Sequence, residues 1–205
     1  MSSPSLSPRS HLAGSQPLVS RWHDVLLNVG LVAVVAITLL LGGCGGMVNL
    51  KSYTDPNGLY SFSYPNGMVQ VEVPPGEEEA AVILRDLIFA TENVNLMISD
   101  YSEAERITDV GSPSEVGERV ANKIIAPPGS GRTARLLNAG QLQTPELTYY
   151  LLEFKTELAS QNRHDVVAVT VSRHRLFTLT ASTLETRWPQ VKDAFLAVAQ
   201  SLRVA

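Results

Sequence analysis

The chain has 205 residues, 44% of them hydrophobic and 18% charged, the balance of a globular protein and not of a disordered one. A net charge of −4 argues against nucleic acid as a partner, since binding it calls for a basic face against the phosphates. The single cysteine excludes an intramolecular disulfide and any cysteine-rich metal site.

Residues 1–28 are polar and rich in Ser and Pro, with Arg9 and Arg21 as their only bases. Residues 29–41 then form an apolar run ending in Gly42-Gly43-Cys44. A helix of about thirteen residues is too short to span roughly 30 Å of hydrocarbon comfortably. It has the length of a signal-peptide core, with a basic segment before it and small residues after it. Leu41-Gly42-Gly43-Cys44 resembles the bacterial lipobox, in which a Leu and two small residues precede the cysteine that receives lipid. The only cysteine of the chain thus falls where lipidation needs it. Each buried acyl CH₂ contributes about 0.8 kcal/mol, so several chains on Cys44 would hold a domain at a membrane. The expected layout is a lipoprotein signal peptide over residues 1–43, a lipidated tether over 44–49 and one domain over 50–205.

Within the domain, alternation dominates. Tyr60-Ser61-Phe62-Ser63-Tyr64 has the period of a half-buried strand, bounded by the turn signatures around Asn57-Gly58 and Pro65-Asn66-Gly67. Val69, Val71 and Val73 predict a further strand. Pro74-Pro75-Gly76 followed by three glutamates reads as a solvated loop, and residues 82–89 and 94–99 as two strands. Ser112-Pro113-Ser114-Glu115 is a capping box with proline at the first helical position, leading into Val116, Val120 and Ile124 on one helix face. Pro127-Pro128-Gly129 stops that helix. Strands follow over 134–142, 147–154, 165–172 and 176–182, with Val167, Val169 and Val171 facing one side. Trp188, Val191, Phe195, Val198 and Leu202 form the apolar stripe of a terminal helix with Pro189 in its first turn. The short connections predict a largely antiparallel β-sheet flanked by helices, an α+β fold with an α/β/α sandwich architecture.

Few residues carry chemistry. Ala126 to Thr133 imitate a phosphate loop, but Ala126 and Arg132 replace its first glycine and its lysine, and a helix precedes it where a strand is required. A catalytic triad would have to use His164 or His174, and no Gly-x-Ser-x-Gly elbow is present. His164-Asp165 can furnish imidazole and carboxylate to a weakly held divalent cation (calcium, manganese or zinc), with Glu153 or Glu157 on the neighbouring strand. Because adjacent strand residues point to opposite faces, that pair chelates only if the strand begins at or after it. Arg173-His174-Arg175, at a turn, is a candidate contact for an acidic partner.

The ordered set Tyr53-x-Asp55, Phe62-x-Tyr64-Pro65, Arg85-Asp86, Asn93-Val94-Asn95-Leu96, Gly111-Ser112-Pro113-x-Glu115-Val116, Tyr149-Tyr150, Arg163-His164, Glu185-x-Arg187-Trp188 and Ser201-Leu202-Arg203-Val204 resembles the PsbP family of photosystem II extrinsic proteins, in its cyanobacterial lipoprotein branch. Met68 departs from the tryptophan of many members, and the turn at Arg173-His174-Arg175 lacks the family's usual glycine. The resemblance implies an antiparallel sheet flanked by helices, no catalysis, no required cofactor and attachment to photosystem II core subunits on the lumenal side of the thylakoid. It implies help in assembling or stabilising the oxygen-evolving complex, with calcium and chloride retention as in plant members, and it aligns the family's proposed cation-binding histidine with His164. The other class that fits the residues is a membrane-tethered lipoprotein binding a divalent cation or small ligand independently of the photosystem. Cys44→Ser is expected to leave the domain folded but to weaken its membrane and photosystem association, measured by fractionating thylakoid membranes. Unchanged association would mean that the contact surface alone suffices.

Overall fold

Asp86 ends a strand that the hydrophobic pattern alone would carry three residues further. The computed structural model describes residues 49–73 and 80–205; the leader, Cys44 and the loop after Val73 lie outside the described residues. The strands are β1 (Leu50–Thr54), β2 (Tyr60–Pro65), β3 (Met68–Val71), β4 (Ala80–Asp86), β5 (Asn93–Asp100), β6 (Thr133–Gln143), β7 (Thr148–Glu157), β8 (Asn162–Ser172), β9 (Arg175–Leu184) and β10 (Arg203–Val204). The helices are α1 (Ile107–Val110), α2 (Pro113–Val120) and α3 (Trp188–Gln200). Seven strands form one sheet in the order β3-β4-β5-β9-β8-β7-β6, and β1-β2-β10 form a small second sheet. Every pairing is antiparallel. The predicted α+β sandwich is therefore the fold, with α1 and β10 as elements that the pattern did not announce.

The large sheet is covered on both sides. On one face, Val166 and Ala168 of β8, Leu179 and Ala181 of β9 and Leu96 of β5 pack against Phe62 of the small sheet and Phe195 and Val198 of α3. On the other, Val167, Val169 and Val171 pack against Ile107, Val116 and Val120 of the two short helices. Tyr149 and Tyr150, neighbours on β7, obey the same alternation. The Tyr149 hydroxyl accepts the Val204 N–H at 3.0 Å in the first core, and the Tyr150 hydroxyl donates to the Gly111 carbonyl at 2.8 Å in the second. Burial pushes both phenols above their ordinary pKa.

The capping box forms as the sequence predicts. The Glu115 N–H donates to Ser112 Oγ at 3.4 Å, and the Ser112 N–H donates back to Glu115 Oε2 at 2.8 Å. That backbone bond, then the Ser112 hydroxyl, holds the Glu115 carboxyl below its usual pKa. Past Val120 the helix widens into a π-helical turn, Ala121–Ile125. The extra residue in the turn shifts the register, so Ile125 is buried at 7% exposure in the place expected for Ile124, which stays partly exposed.

Two strand limits differ from the expected ones. The third strand stops at Val71. β4 stops at Asp86, where the Oδ1 atom accepts the N–H groups of Ile88 at 2.8 Å and Phe89 at 2.7 Å. That side-chain capture folds the chain out of the ladder, as aspartates do in turns.

α2 lies close to the sheet at Gly117, where an added Cβ would stand 2.8 and 3.0 Å from the two Leu136 methyls of β6. Gly117→Val is expected to lower stability by about 1–3 kcal/mol through overpacking, measured by urea denaturation. An unchanged midpoint would mean that α2 can lift away from β6 without loss.

Candidate functional site

Strand β8 carries Arg163, His164 and Asp165 at its start, and the pleat sends them to alternate sides. His164 faces the first core and is 2% exposed. Its ring lies parallel to the Trp188 indole, with centroids 3.8 Å apart and planes inclined by 10°. Nε2 is 2.9 Å from Glu153 Oε1 and Nδ1 is 3.1 Å from Glu185 Oε2. Both ring nitrogens therefore lie within hydrogen-bond distance of a carboxylate oxygen. Glu153 reaches the ring because it sits across the ladder on β7, and the turn after β9 brings in Glu185 and Trp188 together.

Asp165 faces the other side and is 5% exposed. It accepts the Thr156 hydroxyl at 2.5 Å and the Ser182 hydroxyl in a close contact. Arg163 donates to Ser182 Oγ through Nε at 3.0 Å and through Nη2 at 2.8 Å, and to the Thr91 carbonyl at 2.6 Å. Burial pushes the Arg163 guanidinium below the ordinary arginine pKa, while the Asp165 charge acts in the opposite direction and Arg132 adds to the lowering. These groups border a cleft of about 610 Å³ that is also lined by Asn93, Asn95, Thr180, Arg85 and Arg132. Among the described residues, Asn95 Oδ1 is the buried side-chain polar atom without a hydrogen-bond partner.

The pair expected to share a cation is thus divided by the sheet. β8 begins at Asn162, before His164, so alternation already applies, and no ion can touch both side chains. Each His164 ring nitrogen already lies within hydrogen-bond distance of a carboxylate. Glu153 does meet His164, whereas Glu157 lies 4.0 Å from Lys155. Among the described residues no cluster of three or more His, Asp or Glu is placed to hold a metal ion. His164 and Asp165 therefore do not form a shared ligand pair in this fold.

Three further groups escaped the sequence reading. Glu185 and Trp188 are separated from His164 by more than twenty residues, and neither their shared motif with Arg187 nor the place of Trp188 on the terminal helix's apolar stripe pointed to the imidazole. Glu92, 4% exposed, accepts a 2.6 Å hydrogen bond from Arg187 Nε, and the Arg187 guanidinium lies 3.5 Å above the Phe89 ring. Arg173 and His174 form the two-residue turn between β8 and β9, with φ of 52° and 56°. Arg175 opens β9 opposite Ser172, so the predicted basic trio does stand together at one hairpin tip.

Taken together, these features define an antiparallel α+β sandwich whose buried charges are paired internally. Residues 48–204 match the PsbP family, and the chain belongs to it. It is 37% identical to CyanoP of Thermosynechococcus vestitus over 84% of this chain and 95% of that protein, and 36% identical to CyanoP of Synechocystis over the same shares. The solution structure of Synechocystis CyanoP superposes with a TM-score of 0.65 at 35% identity, covering 80% of this chain and 96% of that one. Among the described residues no helix is long and apolar enough to cross a membrane.

His164→Ala removes a stacked ring and leaves two glutamates facing a void. It is expected to destabilise the domain by roughly 2–3 kcal/mol in urea denaturation. A loss below about 0.5 kcal/mol, the range of ordinary surface substitutions, would refute a structural role for the clamp.

Proposed function

We propose that this chain is a non-catalytic extrinsic protein of photosystem II, tethered by lipid on Cys44 to the lumenal side of the thylakoid membrane, where it aids assembly or stabilisation of the oxygen-evolving complex. The observation that carries this reading is the similarity to CyanoP, which extends across the whole folded domain. The site geometry supports a scaffolding role. His164 is held by two carboxylates, and Asp165 has its oxygens occupied by hydroxyl donors, so neither is poised to activate a nucleophile. Any help in retaining calcium or chloride would act through contact with the core subunits.

The surface proposed to make that contact is the tip at Arg173, His174 and Arg175. A turn with positive φ at both central positions normally uses Asn-Gly, because a side chain in the left-handed region costs roughly 1–2 kcal/mol per residue. This chain places Arg and His there, and all three tip residues are exposed. Such local strain is characteristic of functional positions, and two guanidinium groups suit an acidic patch on a partner.

The test separates stability from recognition. Arg173→Asn/His174→Gly should raise the thermal midpoint by about 2–4 °C, as expected for a gain near 1 kcal/mol in a chain of this size, and should reduce co-purification with photosystem II complexes. A stabilised variant that co-purifies as well as the wild type would remove the tip from the contact. Absence of the wild-type chain from every assembly intermediate would sink the functional reading itself.

A further inference from the structure

Leu87, Ile88 and Phe89 follow β4 with 70%, 82% and 40% of their surfaces exposed. Three consecutive large apolar residues in water oppose solubility unless something covers them. The loop is also rigidly built. Ile88 and Phe89 donate their N–H groups to Asp86 Oδ1, Leu87 donates to the Gly67 carbonyl at 3.3 Å, and Glu92 donates to the Phe89 carbonyl at 2.7 Å. The N–H groups of all three exposed residues are therefore satisfied inside the protein, which lowers the cost of taking this segment out of water.

Its position identifies the cover. The Asn66 N–H donates to the Asn49 carbonyl at 3.0 Å, and the next residue, Gly67, receives the Leu87 N–H. With neighbouring strands about 5 Å apart, Leu87 lies within roughly 15 Å of the point where the chain enters the domain. Cys44 stands five residues before Asn49, a reach of at most about 18 Å when extended. We infer that the Leu87-Ile88-Phe89 loop is a second membrane contact, dipping into the boundary between lipid headgroups and acyl chains beside the lipidated tether. This placement of the bilayer rests on the lipidation of Cys44 proposed above. Entry would bury Leu87 and Ile88 while Arg187, stacked on Phe89, stays at headgroup level. The pairing of Asp100 with Arg175 puts the basic hairpin at the opposite end of β5, roughly 25 Å along the strand from the loop.

The mature protein, with the lipid on Cys44 verified by mass spectrometry, is reconstituted into vesicles of phosphatidylcholine and phosphatidylglycerol that carry a lipid-borne quencher. An environment-sensitive fluorophore is placed on Ile88→Cys or, as the far-end control, on His174→Cys; both positions are exposed, so neither change threatens the fold. The expected result is quenching several-fold stronger at position 88 than at 174, with blue-shifted emission at 88 only. Equal and weak quenching at both sites in lipidated protein overturns the inference. So does a shift at position 88 that appears in thylakoid membranes but not in protein-free vesicles, which would assign the loop to a protein partner. If mass spectrometry finds Cys44 unmodified, the lipidation reading fails by itself; Cys44→Ser/Ile88→Cys protein added to the same vesicles then decides the loop, quenching there upholding the membrane contact and its absence overturning it.

Discussion

Strand β8 is buried on both faces, so each of its side chains must find partners on the side that the pleat assigns to it. For its valines this is simple, since either core will take them. For the three polar residues at its start it is severe, because a buried charge without partners costs several kcal/mol. His164 is consequently surrounded by Glu153, Glu185 and Trp188, and Asp165 by Thr156 and Ser182, the latter also bonded by Arg163. Much of the domain's outer structure follows from meeting those two demands. The turn after β9 must deliver Glu185 and Trp188 together, which sets where α3 begins. Arg163 must reach across to the Thr91 carbonyl, which binds the β4–β5 loop to the sheet.

Alternation and capping were legible because each is encoded within a few residues. Tyr60 to Tyr64 and the valines of β8 show the period of two directly, and Ser112 to Glu115 name both partners of the capping box. What stayed hidden depends on atoms distant in sequence or on small shifts in backbone geometry. Nothing in 82–89 distinguishes a long strand from one that Asp86 truncates by capturing two amides. The π-helical turn moves the buried position from Ile124 to Ile125 without any change in hydrophobic pattern. The division of His164 from Asp165 was readable in principle, since it needs only the strand to begin at Asn162; the placement of Glu185 and Trp188 around the ring was not.

The domain is polar in the geometric sense. One end of the large sheet gathers the chain entry at Asn49, the apolar loop at Leu87 to Phe89 and the arginine–glutamate pair of Arg187 and Glu92. The other end carries the strained basic turn. The antiparallel register of β5 against β9 ties the two together, so a constraint on the orientation of one end is transmitted to the other through a rigid ladder. On the proposed orientation, the basic tip stands away from the bilayer, where it meets protein and not anionic headgroups.

That arrangement explains why a domain with internally paired charges need not bind any single partner tightly. On the proposed reading, the lipid on Cys44 supplies the lasting attachment, while a two- or three-residue apolar contact and a small basic tip are each weak and would dissociate readily alone. Joined by a short tether and a stiff sheet, they act at the effective concentration set by their spacing, so their affinities combine without new contacts. Weak contacts at the loop and the tip would also keep exchange fast, which suits the proposed role at an assembling complex. Strengthening either of them would slow departure without improving the placement that the tether would already supply.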